Sequence, residues 1–195
     1  MTKRVFLRFL SGGSGVEELI HLDRKKLKKF VSNISLLDSM FDVILIDTGA
    51  GLSQNVMSFV LAADEVILVT TPEPTAITDA YALVKMISRR DHKKAIQVLV
   101  NRAETRKEAE DVANKLCVVS EKFLSLKLFK IGYILYDENV RKSVKMQKPF
   151  SLYNPRCTAT KNVLEIADKL FSQPDSKIGS GAKSYISKLL SFFGV

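Results

Sequence analysis

Three apolar stretches stand out along the chain: FDVILID (Phe41 to Asp47), EVILVTT (Glu65 to Thr71) and AIQVLVN (Ala95 to Asn101). Each is short, rich in β-branched residues and bounded by polar or turn-forming residues, the pattern of strands buried on both faces of a parallel sheet. Two further strands are expected at Val5–Leu10 and at KIGYIL (Lys130 to Leu135). Between them the apolar spacing changes from continuous to helical. Leu27, Phe30, Val31, Ile34 and Leu37 share one helical face, Leu52 to Ala62 reads as helix, and so does the segment opened by PEPT and running to Ser88. That last helix is expected to be capped by Thr75 or Thr78. Helices are also expected at Lys107–Leu126, Val140–Met146, after a break at Pro149, and Thr158–Phe171. Strands alternating with helices predict a three-layer α/β/α fold with a mainly parallel sheet, whose ligands bind beyond the carboxyl ends of the strands.

Beyond Phe171 the pattern changes. Residues 172–182 are rich in Pro, Gly and Ser and read as a flexible linker. Residues 183–195, KSYISKLLSFFGV, place Tyr185, Ile186, Leu189, Leu190 and Phe193 on one helical face, with Phe192 beside it and Lys183 and Lys188 flanking. A basic, aromatic amphipathic helix on a linker suits a membrane interface, and packing on the domain core is its other use. Residues 1–171 would then form the domain proper.

Length and composition fit this division. A chain of 195 residues with 46% apolar content is long enough for one well-buried domain. Two separated cysteines, Cys117 and Cys157, and two histidines, His21 and His92, suggest neither a disulfide framework nor a zinc site, so a reducing cytosol is expected. The net charge of +9 concentrates in residues 141–195, where ten Lys or Arg face only Glu165, Asp168 and Asp175. Such a surface suits an anionic partner or plain solvation. Nucleic acid is the weaker choice of partner, because aromatic stacking residues are not interleaved with these lysines.

Two glycine-rich turns are candidates for phosphate chemistry. LSGGSGVEEL fails on charge: no lysine follows Gly12, Gly13 and Gly15, and Glu17 and Glu18 would repel phosphate from the helix start. LIDTGAGLS places Asp47 at a strand end with Gly49 and Gly51 in the following turn. Asp47 could hold a magnesium-bound water while the glycines let backbone N–H groups approach a phosphate. Equally, Asp47 could cap the next helix and the glycines could simply make a tight turn.

The stretch FDVILIDTGAGLSQNVMSFVLAADEVILVTTPEPTAITDAYALVKMI closely resembles the MinD/ParA family of P-loop ATPases. DTGAG and TTPEPTAITDAYAL are most similar to its FlhG branch, which helps set flagellar number and placement. The resemblance continues through VNRA and GYILYDENVRKSV to the last domain helix. It implies a P-loop NTPase-like sheet, Asp47 as the Walker B aspartate acting on Mg through water, and Gly49 and Gly51 as the phosphate-sensing turn. It also puts Asn101 at the adenine base with Arg102 beside it, and Asp137 in the base-pocket loop, where Tyr136 replaces the family's proline. An Asn amide can pair bidentately with an adenine edge, although a strand-end Asn also commonly just turns the chain.

Family members carry a KGGxGKT phosphate loop and a switch I aspartate, and neither occurs here. The expectation is therefore a C-terminal part of such an ATPase, or a shortened product with its N-terminal strands missing, not catalytic alone. ATP and Mg are cofactors of the complete family member, and this chain is left with reduced or no binding. Rearrangement, self-association across the exposed edge or marginal folding is expected, because the phosphate-loop strand would otherwise pair with the Asp47 strand. The resemblance further implies an FlhF-like GTPase and flagellar switch proteins as partners, and a cytoplasmic protein peripheral at the inner face of the cell membrane. A non-catalytic membrane- or partner-binding module derived from the family is the alternative, and a ParA-like nucleic-acid role the weaker one.

Overall fold

The computed structural model describes residues 40–49, 51, 53–171 and 181–192. The strand expected at Val5–Leu10, the LSGGSG turn, the helix over 27–37, most of the linker and Phe193 lie outside the described residues. The chain divides into one unit spanning Asp47–Gly181 and another comprising Met1–Ile46 with Ala182–Val195.

In the larger unit, helix α1 (Gln54–Ala62) starts at Ser53, whose hydroxyl accepts from the Val56 N–H. Strand β1 (Glu65–Thr70), helix α2 (Pro74–Ser88), strand β2 (Ala95–Ala103), helix α3 (Arg106–Leu124) and strand β3 (Leu128–Leu135) follow. The strands lie in the order β1-β2-β3, all parallel, joined by α2 and α3 as crossovers. Thr105 caps α3, accepting from the Glu108 N–H at 3.1 Å, while Glu108 reaches back to the Glu104 N–H at 2.8 Å. This reciprocal pair is a variant of the capping box. The cap of α2 differs from expectation. Glu73 occupies it without a side-chain cap bond, and the Thr78 hydroxyl instead donates to the Pro74 carbonyl one turn back.

Alternation along the strands assigns the layers. Val66 and Leu68 of β1 and Ile96, Val98 and Val100 of β2 face a core built with Met57 and Leu61 of α1, Val84 and Ile87 of α2, and Val112 and Leu116 of α3. The opposite face sends Leu99 and Ile131 against Ile166 of a later helix, α6 (Thr158–Phe171). Helices on both faces of a parallel sheet are the three-layer α/β arrangement the pattern predicts. Coverage of the second face is uneven, since Val69 on β1 is exposed. Its run of hydrophobics is continuous, yet β1 is fully buried on one side only.

The expected strand at Phe41–Asp47 is not formed. Residues 41–47 have no strand assignment, and Leu45 is 78% exposed. A β-strand requires a neighbour that takes up its backbone N–H and C=O groups. Each pairing in the described sheet joins β1, β2 or β3, and none includes this segment.

Beyond β3 come α4 (Glu138–Lys145), the short α5 (Phe150–Tyr153) and α6. Helix α7 (Gly181–Phe192) belongs largely to the other unit; Ile186 and Leu189 on it are buried, while Lys188 and Phe192 are exposed. Among the described residues no helix is long and apolar enough to cross a membrane.

Candidate functional site

The carboxyl ends of the three strands form one rim. Parallel pairing sets Asn101 beside Ile134 and Ala103 beside Leu135, and the Tyr136 N–H donates to the Ala103 carbonyl at 2.8 Å. The turn after β2 and the turn after β3 are thereby tied together. Asn101, Arg102 and Asp137, separated by up to a full βα unit in sequence, come to the same end of the sheet.

The Asn101 side chain is half-buried, and its Oδ1 accepts from the Arg102 N–H at 2.9 Å. The amide Nδ2 keeps its donors, and Oδ1 retains a second lone pair. Arg102 has φ +58°, the left-handed region, which costs a non-glycine residue about 1–2 kcal/mol. The bond from its own N–H to Asn101 offsets part of this strain. Together the two residues make a rigid corner that holds the amide at the strand end.

Asp137 serves mainly as structure. Its Oδ1 accepts from the Asn139 backbone N–H at 2.8 Å and from Asn139 Nδ2 at 2.7 Å, and its Oδ2 from the Ala159 N–H at 3.2 Å. It therefore caps α4 and ties it to the start of α6. Burial pushes the Asp137 carboxyl up, but the hydrogen bonds from Asn139, Ala159 and Cys157 outweigh it and hold the group below the usual carboxylate range. Both oxygens are thus engaged by the fold.

Beside it, the Tyr136 hydroxyl donates to Glu138 at 2.8 Å, which raises the phenol and lowers the carboxyl. Glu73, between two prolines after β1, joins this rim unforeseen. The Thr71 hydroxyl holds its carboxyl below the usual range, and the Arg102 charge adds to that effect. The sequence signal was TTPEP itself: an acid fixed by prolines on either side directly after a core strand.

Asp47, Gly49 and Gly51 sit differently. All three are exposed, and a Cβ built on either glycine meets nothing within 4 Å. Gly51 has φ +120°, a conformation that other residues rarely adopt. Among the described residues no three His, Cys, Asp or Glu side chains cluster to hold a metal. Thus the described structure places Asn101, Arg102 and Asp137 together at the strand ends, whereas Asp47, Gly49 and Gly51 are exposed. An open cavity of about 610 Å³ adjoins the rim between the starts of α2 and α3, lined by Pro72, Pro74, Ile77, Thr105, Glu108 and Lys115 among others. It includes none of the residues singled out from the sequence.

The topology and the asparagine corner can be set against known proteins. The family model for the cellulose biosynthesis protein BcsQ matches residues 6–170. The antiactivator FleN of Pseudomonas aeruginosa is 37% identical over 168 residues, covering 86% of this chain and 60% of FleN. The chain belongs to the MinD/ParA family. The flagellum site-determining protein YlxH of Helicobacter pylori is 31% identical over 194 residues, covering 96% of this chain and 65% of YlxH. Among solved structures, the cell division ATPase MinD of Pyrococcus furiosus superposes with a TM-score of 0.54 at 27% identity, covering 79% of this chain and 60% of that one. The chain thus spans less than two thirds of the length of these relatives.

Proposed function

We propose that this chain is the base-recognising, partner-facing part of a MinD-like ATPase of the FlhG branch that regulates flagellar number and placement. The observation that carries the reading is the similarity to FleN and YlxH, both flagellar by name, across 86% and 96% of the chain. The asparagine corner at the carboxyl end of β2 supports it, because a half-buried amide with free donors suits an adenine edge. In this reading Asn101 contacts the base and Arg102 fixes the corner. Asp137 acts by capping the neighbouring helix, and Asp47, Gly49 and Gly51 serve phosphate and magnesium only when a phosphate loop completes the site. The protein works in the cytoplasm, with an FlhF-like GTPase and flagellar switch components as partners. The C-terminal segment over residues 183–195, with Lys183, Tyr185, Ile186, Lys188, Leu189, Leu190, Phe192 and Phe193 as the proposed contact set, supplies reversible membrane attachment at the inner face. Because Ile186 and Leu189 are buried, that attachment requires the stripe to be uncovered first.

A second reading, a non-catalytic module that has lost nucleotide binding, is favoured by the exposure of Asp47 and Gly49. Titration calorimetry with ATP and magnesium separates the two. Binding that Asn101→Ala weakens roughly tenfold or more, in line with the worth of a bidentate base contact, supports base recognition. No heat at millimolar ATP sinks it and leaves the module. Counting flagella by electron microscopy in cells lacking the gene tests the biological half: an unchanged number and position would refute it.

A further inference from the structure

Between Glu138 and Glu165 the chain carries six Lys or Arg and no acid. Much of this stretch forms a small lobe of α4, a turn and α5. The lobe is held firmly at its base. Asn154 Nδ2 donates to Asn139 Oδ1 at 3.2 Å, and the Thr160 hydroxyl donates to the Asn154 carbonyl at 3.0 Å.

At the far end three backbone N–H groups are paired internally. The Met146 N–H donates to Lys142, the Gln147 N–H to Val144 and the Lys148 N–H to Ser143, with Gln147 turning the chain at φ +50°. Side chains there are exposed instead of packed. Val144 is 71%, Met146 67% and Leu152 64% exposed, and of α4 itself only Ser143 is buried. Lys142, Lys145 and Lys148 are exposed on the same tip. Pairing of these N–H groups lowers the cost of bringing the tip to a less polar medium, and lysine stems can lie along apolar surface with their charges in a polar layer.

We infer that the α4–α5 tip is a docking surface for an anionic lipid bilayer, inserting Val144, Met146 and Leu152 among the acyl chains while Lys142, Lys145 and Lys148 meet the phosphate headgroups. The charge complementarity selects an anionic surface. The form of the tip selects a bilayer over an acidic protein: it projects apolar side chains outward, and the described cavities lie instead against α2 and α3. This surface is built from other residues than the C-terminal helix and does not depend on the flagellar reading.

The chain contains no tryptophan, so Leu152→Trp introduces a single reporter at an exposed position of the full chain. Vesicles of equal parts phosphatidylglycerol and phosphatidylcholine are expected to shift its emission to the blue and shield it from an aqueous quencher, whereas pure phosphatidylcholine leaves it unchanged. Lys145→Gln/Lys148→Gln in that background should weaken the vesicle response roughly tenfold or more. Met146→Trp gives the same readout from the other side of the turn. An unshifted emission from both reporters overturns the inference, whether the protein co-sediments with the vesicles, and so binds through another segment, or stays in solution. A shift produced by an acidic protein partner and not by vesicles likewise overturns it and assigns the tip to a protein.

Discussion

At Gly132 the backbone of β3 lies close against α6. This glycine follows Ile131, the extra residue where the β2–β3 register shifts between Val98/Leu99 and Lys130/Gly132, and a Cβ placed there would come within 2.7 Å of Ile166 Cγ1 and 3.4 Å of its Cδ1. Both atoms belong to a buried side chain that packs α6 onto the sheet, so the neighbour has little room to retreat. Overpacking of this kind costs about 1–3 kcal/mol, and replacing glycine within a strand returns about 0.5–1 kcal/mol. Gly132→Ala should therefore destabilise the fold by about 1–2 kcal/mol, or lower the melting temperature by roughly 2–8 °C for a chain of this size. Ile166→Ala alone, a buried deletion, should cost about 2–5 kcal/mol. In the double variant the new methyl occupies part of the space vacated, so the cost should fall short of the sum by about 1 kcal/mol or more. Urea unfolding followed by circular dichroism measures all four proteins. A neutral or stabilising Gly132→Ala, or strict additivity in the double variant, would refute the idea that α6 sits on the sheet through a contact only glycine permits.

Three further outcomes are expected. The Lys94 side chain is buried and its ammonium donates to the Leu61 carbonyl at 2.8 Å and to the Ala63 carbonyl, closing the C-terminus of α1; Lys94→Met should cost about 2–3 kcal/mol, judged from charged hydrogen bonds, with hydrogen exchange speeding up first in α1. Asp137→Ala should cost about 0.5–2 kcal/mol at neutral pH through the lost cap. The carboxyl's folded pKa lies below its unfolded value, so its contribution is complete above the ordinary carboxylate range near 3.9 and disappears as pH falls through the folded value. Thermal melts of the two proteins should accordingly converge under acid conditions, and a gap that stays constant with pH would contradict the assignment. At the left-handed Arg102, Arg102→Gly should be more stable than Arg102→Ala by about 1 kcal/mol, measured by chemical denaturation; equal stabilities would mean that the corner carries no strain.

Local chemistry was readable from the chain wherever one element supplies its own reasons. Thr158–Phe171 appears with the bounds its periodicity predicts, the helix from Pro74 ends as expected at Ser88, and strands β2 and β3 differ from expectation only by a few residues at their ends. The cap of α2 was misread because Thr75 and Thr78 look like capping residues, while the prolines at 72 and 74 hold the entry to the helix one step earlier. Asn101 was recognisable as a strand-end amide, but Glu73 was not recognisable as its neighbour on the rim. Only parallel pairing brings the ends of β1, β2 and β3 together, and the influence of Arg102 on Glu73 is a consequence of that pairing.

FDVILID shows the limit from the other side. Its composition is as strand-like as that of β1, yet it lies exposed and unpaired with the described sheet, because a strand is completed by hydrogen bonds that come from elsewhere in the structure. By itself the sequence determined the family, the alternation of strands and helices from β1 to β3, and the identity of the amide at the end of β2, since each of these rests on residues near one another in the chain. The tertiary structure alone decided that Asn101, Arg102, Glu73 and Asp137 share one end of the sheet, that Asp137 caps instead of reaching outward, and that the α4–α5 tip leaves its apolar residues uncovered. Each of these depends on which backbone groups and side chains distant segments satisfy for one another, and no local pattern encodes that.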